Sequence, residues 1–252
     1  MIEIGSGLWN LRGSFTFLVG MIDIGTQMSL IRLSNGKFLV VDTCAISAAD
    51  KAIIDQLTNN GELIEAVIAT HPFHTMFFEP FYKMYPNAEY YGTPRHIKRI
   101  TSIPWRGSIT EPAVLSKWEQ EGIFMRIPEG AEFENPAENN HFSGVFVFHS
   151  PSRTIHSDDT ILYFDQPGFV LRCCLGKHAG DMQFWDFKKG LKPTKEAPGE
   201  FKAFIEKVIQ DWDFDNIVAA HTGNKMGGAK ELLAETIKKA TPALNKLADA
   251  HK

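Results

Sequence analysis

Four apolar runs in this chain each end on a residue that can bind a metal or move a proton. Phe38-Leu-Val-Val ends on Asp42, Ala66-Val-Ile-Ala-Thr70 runs into His71, Val145-Phe-Val-Phe148 into His149, and Ile217-Val-Ala-Ala220 into His221. Short apolar runs bounded by turn signals read as buried strands. A strand end is where a rigid scaffold meets a loop, so side chains placed there converge at little conformational cost. One histidine after a strand is ordinarily a hydrogen-bonded structural residue. Four ligand-type residues at four such ends, from residue 42 to residue 221, point to one shared site. That requires both halves of the chain to meet, so residues 1–252 are expected to form a single domain.

The segments between these runs supply the layers. Phe15, Phe17 and Val19 alternate with Thr16 and Leu18 as a strand, and Met28–Leu33 joins Phe38–Asp42 through Ser34-Asn35-Gly36-Lys37, a hairpin signal. Residues 48–58 follow a helical period with Ile53, Ile54 and Leu57 on one face, stopped by Asn59-Asn60-Gly61. Thr160–Phe164 reads as a strand, Gln166-Pro167-Gly168 as a turn, and Phe169–Cys173 as the next strand. Residues 200–210 form an amphipathic helix carrying Phe201, Phe204, Ile205 and Val208. A last helix runs over 228–240, with Pro242 opening a further short piece. Residues 95–143, interrupted by Pro104, Pro112, Pro128 and Pro136, read as an irregular excursion whose Trp105 and Phe124 are candidates to line a cleft. The order of elements fits a layered α/β or α+β domain with helices outside sheets.

Composition excludes several classes. The formal charge of −4 and a pI near 6.1 carry no basic footprint for nucleic acid. No uncharged apolar run is long enough to cross a membrane. The opening MIEIGSGLWN lacks the basic and apolar regions of a signal peptide. Cys44, Cys173 and Cys174 make no disulfide framework and no C-x-x-C, and read as small buried apolar residues in a reducing compartment. The expectation is a cytoplasmic protein with a small-molecule substrate; oligomeric state has no signature in the sequence.

The candidate ligands are His71, His74, His149, Asp159 and His221. In Thr70-His-Pro-Phe-His-Thr75 the spacing lets two imidazoles face one ion from a tight turn. Asp159, ten residues past His149, and Asp181 are acids that could complete or bridge a site, though both also suit turn capping. Asp42 and His156 are candidates to orient a ligand from behind, and Glu79 is an alternative ligand. His96 and Arg153 are candidates for substrate contact or for ordinary capping. Imidazoles and carboxylates without thiolate suit Zn²⁺, and Fe or Mn fit the same donors.

The order hairpin–Asp42, helix, strand–Thr70-His71, strand–His149, acid, strand–His221 resembles the metallo-β-lactamase fold superfamily, over about Ser29 to His221. The resemblance implies a four-layer αββα sandwich with one or two metal ions at the sheet edges, in a superfamily made mostly of hydrolases. It makes Asp42 the acid of the first motif, His71 the first histidine of the second and His221 the last ligand. Asp159, or else Asp181, becomes the bridging carboxylate, with Asp159 also placed to orient the attacking water. The family's H-x-H-x-D-H reads here His71-Pro-Phe-His74-Thr75-Met76, so Thr75 and Met76 stand where the family has Asp and His. His149-Ser-Pro-Ser-Arg153 lacks the usual P-G-H-T. The segment Phe148–Ile155 leading to Asp159, and His74–Phe81, are similar to a divergent branch in which H-x-P-S-x-T precedes an Asp. Three functions follow: a metal-dependent hydrolase of an ester, thioester or lactone; a sandwich that binds metal without catalysis; and an iron-dependent oxidoreductase.

Overall fold

Alternation inside the apolar runs decides the layering. The computed structural model describes residues 1–17, 22–169, 172–173 and 176–251. Its first half forms β1 (Ile2–Gly5), β2 (Leu8–Gly13), β3 (Thr16–Phe17), β4 (Ile22–Asp23), β5 (Thr26–Arg32), β6 (Phe38–Val41), α1 (Ala48–Thr58), β7 (Ile64–Ile68), α2 (Phe78–Met84), β8 (Glu89–Gly92), α3 (Pro94–Arg99) and β9 (Trp105–Ser108). Seven of these strands make one sheet, ordered β1-β2-β5-β6-β7-β8-β9, while β3 and β4 pair as a separate ribbon. After α4 (Pro112–Leu115) come β10 (Ile123–Arg126), β11 (Phe146–His149), β12 (Thr154–Ser157), β13 (Ile161–Tyr163), β14 (Met182–Phe184) and α5 (Phe187–Gly190). The chain ends with α6 (Ala197–Asp211), β15 (Asn216–Ala219), β16 (Asn224–Lys225) and α7 (Ala229–Ala250). The second sheet is ordered β10-β11-β12-β15-β16, with β13-β14 beside it.

Successive strand residues point to opposite faces. Leu39, Val41, Ala66 and Ile68 therefore meet Ile123, Val145 and Val147 between the two sheets. Phe38, Val40 and Val67, one residue out of step, pack outward on Ile54 of α1 and on Phe78 and Phe81 of α2. On the far side Phe146, Phe148, Ile155 and Ile217 pack on Phe201 and Phe204 of α6 and on Leu233 and Ile237 of α7. The result is an αββα sandwich. Helix α1 begins where the Ser47 hydroxyl accepts the Asp50 N–H at 3.1 Å and ends at Asn59 in the left-handed region.

Several expectations change. Residues 95–143 are irregular only in part, because they carry α3, α4 and an edge strand of each sheet, β9 and β10, while 127–143 has no helix or strand and brings His141 to the site. Trp105 and Phe124 pack against the two outer cores and are not among the residues lining the cavity at the candidate site. Pro242 lies inside α7, where Leu233, Ile237 and Leu244 are all buried. That packing outweighs a cost of about 3 kcal/mol for an interior proline. Phe169, Arg172 and Cys173 are helical, and Cys173 is exposed. Leu18 and Val19 of the first strand, the rest of the 169–173 run and Cys174 lie outside the described residues. Among the described residues, no helix is long and apolar enough to cross a membrane.

Strand direction positions the site. Strands β6 and β7 run parallel with Val41 beside Ile68, so Asp42 and Thr70-His71 leave from one edge. Strands β12 and β15 are also parallel, with Ser157 beside Ala219, so Asp158, Asp159 and His221 leave together from the second sheet. The two edges join where the Val145 N–H donates to the Thr70 carbonyl at 2.8 Å. Strand β11 runs antiparallel to β12 with His149 opposite Thr154, which puts His149 at the other edge. Four residues of strand, about 13 Å, separate it from the level of Val145.

Candidate metal centre

The turn after β7 is held by short-range bonds. The His74 N–H donates to the His71 carbonyl at 3.2 Å and the Thr75 N–H to the Phe73 carbonyl at 2.8 Å. Buried His96 braces it from α3. Its Nδ1 pairs with Thr93 Oγ1 at 2.9 Å and its Nε2 lies 3.3 Å from the His74 carbonyl. His71 and His74 are thereby brought together, their rings tilted by 39° with centroids 4.2 Å apart.

Both rings face the Asp159 carboxylate. His71 Nε2 lies 3.7 Å and His74 Nε2 3.5 Å from Asp159 Oδ2, and His221 Nε2 lies 3.1 Å from Oδ1. Each imidazole has a partner behind it, and His71 Nδ1 accepts the Phe73 N–H at 3.3 Å. His221 Nδ1 donates to the Gly25 carbonyl at 2.5 Å, and His74 Nδ1 lies 3.4 Å from Asp158 Oδ1. A proton on Nδ1 of His221 and of His74 leaves their Nε2 lone pairs directed at Asp159, the arrangement in which an outer partner fixes the tautomer of a metal-ligating histidine, whereas His71, whose Nδ1 accepts, carries its proton on Nε2 in the free protein. Gly144 makes room for Asp158, since a Cβ there would stand 2.8 Å from the Asp158 Cβ.

The donors fit a cation. His71 Nε2 and Asp159 Oδ1 are buried without a hydrogen-bond partner, and buried polar atoms of that kind are rare unless something outside the protein completes them. The ligand atoms of His71, His74 and Asp159 all lie within 4.8 Å of one another. Electrostatics agree with the geometry. Burial drives His71 well below the ordinary histidine range, and the neighbouring His74 adds to the shift. Burial opposes charge on His74 too, but Asp159 and Asp158 outweigh it and hold His74 well above that range. Burial likewise opposes charge on Asp159, yet His221, His74 and His71 keep its carboxyl well below its usual value.

Not every candidate joins this group. His149 is at the opposite edge with Nδ1 2.8 Å from Ser152 Oγ, and burial lowers it to about 4. Asp181 is an exposed turn residue whose Oδ2 accepts the His178 N–H at 2.7 Å. Glu79 pairs with Lys83 on the surface of α2, and Arg153 with exposed Asp213. Asp42 and His156 are together behind the site, His156 Nε2 being 3.2 Å from Asp42 Oδ2 and its Nδ1 2.9 Å from Ser29 Oγ. Asp42 Oδ1 accepts the Thr70 N–H at 2.9 Å, and the Thr70 hydroxyl touches both Asp42 and Asp158. Asp42, His156 and Asp158 are a second group with metal-ligand spacing, but hydrogen bonds already occupy most of its atoms.

Sequence reasoning missed Asp158 and His141. His141 lies on the loop between β10 and β11, half-buried, with its ring centroid 6.2 Å from His71 and 4.3 Å from Phe73. The signal for it was the tight Pro151-Ser-Arg153 turn. That turn makes β11 and β12 a hairpin at the far edge, so the segment before β11 must arrive from the site. A cavity of about 160 Å³ opens at the ligands, lined by His74, His141, Asp159 and His221 and by Phe15, Phe73, Met76 and Phe77, with Phe15 stacked on His221 and Phe73 against His141.

The sequence matches no protein-family model and no curated protein. Solved structures match it over nearly its whole length. A metallo-β-lactamase from Erythrobacter litoralis with β-mercaptoethanol in its active site superposes with a TM-score of 0.60 at 14% identity, covering 94% of this chain and 95% of that one. FIM-1 from Pseudomonas aeruginosa in its mono-zinc form gives 0.59 at 13%, over 95% and 94%. A metallo-β-lactamase from Hirschia baltica gives 0.58 at 17%, over 94% and 95%. The chain has the metallo-β-lactamase fold, and its His and Asp groups stand at the sheet edges of that fold. The departures in its second motif make it a divergent example.

Proposed function

We propose that this chain is a metal-dependent hydrolase, a single-domain cytoplasmic protein that cleaves an ester, thioester or lactone of a small molecule. The observation that carries this reading is three imidazole Nε2 atoms converging on the buried Asp159 carboxylate, which lines a cavity with His74 and His221, while His71 Nε2 and Asp159 Oδ1 are buried without a hydrogen-bond partner. His71, His74, Asp159 and His221 would hold the ion, and His141 stands ready at the cavity wall. Zn²⁺ suits these donors best, with Fe or Mn accepted by the same set. Bound there, such an ion supplies Lewis acidity and brings the pKa of a water toward roughly 7. The mono-zinc form of FIM-1 supports a one-ion reading, because Thr75 and Met76 provide no second carboxylate and imidazole here.

The chain's own groups would do the rest. The Gly25 carbonyl and Asp158 hold His221 and His74 in the ligating tautomer. Phe15, Phe73 and Phe77 keep bulk water from the reacting end. Asp159 orients the attacking water and takes its proton, as water adds across the acyl C–O or C–S bond to give an acid and an alcohol or thiol.

A second reading, a metal-binding sandwich without catalysis, is favoured by Met76, which is 63% exposed at the cavity and brings no donor. Metal analysis of protein purified without added metal, followed by titration with Zn²⁺, Mn²⁺ and Fe²⁺, tests both. Less than about a tenth of an equivalent with no uptake removes the metal altogether. Metal uptake without hydrolysis of phenyl esters, thioesters or lactones leaves the second reading. Iron in place of zinc, with redox activity, would make the chain an oxidoreductase.

A further inference from the structure

The cavity lining is of two kinds. One is the ligand group; the other is the apolar Phe15, Phe73, Met76 and Phe77, and no Lys or Arg among the described residues lines the cavity. The cations nearby are already engaged. Arg95 lies over the Phe73 ring at 4.2 Å, and both its terminal nitrogens hold Glu138, at 2.9 and 2.6 Å. Arg12 is committed to the Ala219 and Ala220 carbonyls and to Asn224. A carboxylate or phosphate on the acyl end of a substrate would lose its hydration against this wall and gain no counter-charge.

Outside the ligand group, one buried side-chain polar atom among the described lining residues has no hydrogen-bond partner. Thr43 is 2% exposed, borders the cavity, and its Oγ1 has no hydrogen-bond partner. It follows Asp42, whose φ of 55° is in the left-handed region, where a residue with a Cβ is strained. Thus the chain bends sharply on leaving β6, with Asp42 among its buried partners and Thr43 at the cavity. A buried hydroxyl without a partner is a cost to the free protein, and a ligand acceptor would remove it.

We infer that this pocket selects an uncharged ester or lactone with an apolar acyl portion, and that the Thr43 hydroxyl is its hydrogen-bonding contact beyond the ligand group. The inference deepens the hydrolytic reading and rests on it only for the bond that is cleaved.

The test is calorimetric binding of hexananilide, a neutral amide that resists hydrolysis, against the same anilide ending in a sulfonate. Both are measured on the protein as purified and after Zn²⁺ loading. The neutral anilide is expected to bind at least about tenfold more tightly, since the sulfonate must be desolvated without a partner. Thr43→Val should weaken hexananilide by about threefold to tenfold, the worth of one hydrogen bond, while Thr43→Ser keeps it. Thermal unfolding of Thr43→Val should show a melting temperature equal to or above that of the parent, which separates loss of the contact from loss of the fold. Equal or tighter binding of the sulfonate, or binding of neither anilide, overturns the selectivity. Unchanged affinity in Thr43→Val overturns the role of Thr43. Selective binding by a loaded protein that leaves phenyl hexanoate intact would support the pocket assignment while removing the hydrolase.

Discussion

Two groups of acids and histidines share one end of this sandwich, and the same residue types do opposite things in them. In the sealed group, Asp42 accepts from the Thr70 N–H and meets His156, whose other nitrogen is on Ser29. In the open group, His71, His74 and His221 turn their Nε2 atoms toward Asp159, and unpartnered atoms remain. Both have ligand spacing. The difference lies in what the lone pairs face. Where donors meet acceptors the cluster is a structural brace; where lone pairs meet a carboxylate, a cation or a proton must stand between them.

The largest expected effect breaks the sealed group. Asp42→Ala strips the acceptor from the buried Thr70 N–H and from His156, and puts alanine in a left-handed conformation. Removing one member of such a buried set costs about 3–5 kcal/mol. Asp159→Asn removes the charge that His74 and His221 face, yet should cost the metal-free protein clearly less than Asp42→Ala, because its amide keeps an acceptor toward one imidazole and Oδ1 has no hydrogen-bond partner to lose. Urea unfolding in the presence of a chelator measures both. A cost for Asp159→Asn as large as that for Asp42→Ala would make the open group a brace as well.

His149 sharpens the comparison from the far edge. It is buried, and in the folded protein it stays neutral down to about 4, against an ordinary value of 6.5. Between those values the unfolded chain binds the proton that the folded chain refuses. Its contribution is therefore fully present above pH 6.5, falls as pH drops toward 4, and changes no further below that. The loss amounts to about 3 kcal/mol at most. Stability curves at a series of pH values should be flatter in His149→Gln over this window; identical slopes would show that His149 is not held neutral.

Much of the site was legible because parallel strands deliver their carboxyl ends to one edge. Asp42, His71 and His221 follow β6, β7 and β15, and a run such as Ile217–Ala220 shows where a strand stops. A run does not show which way its strand points. His149 also ends an apolar run, but β11 is antiparallel to β12 and carries it away. His141 is on a loop with no period to mark it, and reaches the site only through the hairpin that follows. Asp158 and Asp159 are neighbours in sequence, and only the folded chain separates them, one behind His74 and the other in front. The layers were legible through alternation, as in Leu39 and Val41 against Phe38 and Val40. Pro242 misled because a local helix-breaking tendency is weaker than the packing of the helix around it.

Metal should stabilise the open group alone. At a free ion concentration one hundred times the dissociation constant, the shift in unfolding free energy is about 2.7 kcal/mol. His71→Ala and His221→Ala should each abolish that shift, whereas His149→Gln should keep it. Retention of metal in either alanine variant removes that residue from the ligand set.

The smallest effect separates the two acids at the end of β12. Asp158 touches both groups: Oδ1 faces His74 Nδ1 at 3.4 Å and Oδ2 meets the Thr70 hydroxyl. Asp158→Asn can still accept the Nδ1 proton but loses the charge that makes His74 a better donor. Metal affinity should fall by about tenfold, the lower end of what loss of an orienting partner costs. Asp158→Ala, which keeps neither charge nor acceptor, should fall further. Dye-competition titrations at fixed pH read both. Equal affinity in parent, Asn and Ala variants would assign Asp158 wholly to the sealed brace, leaving His74 to be oriented by its turn and by His96.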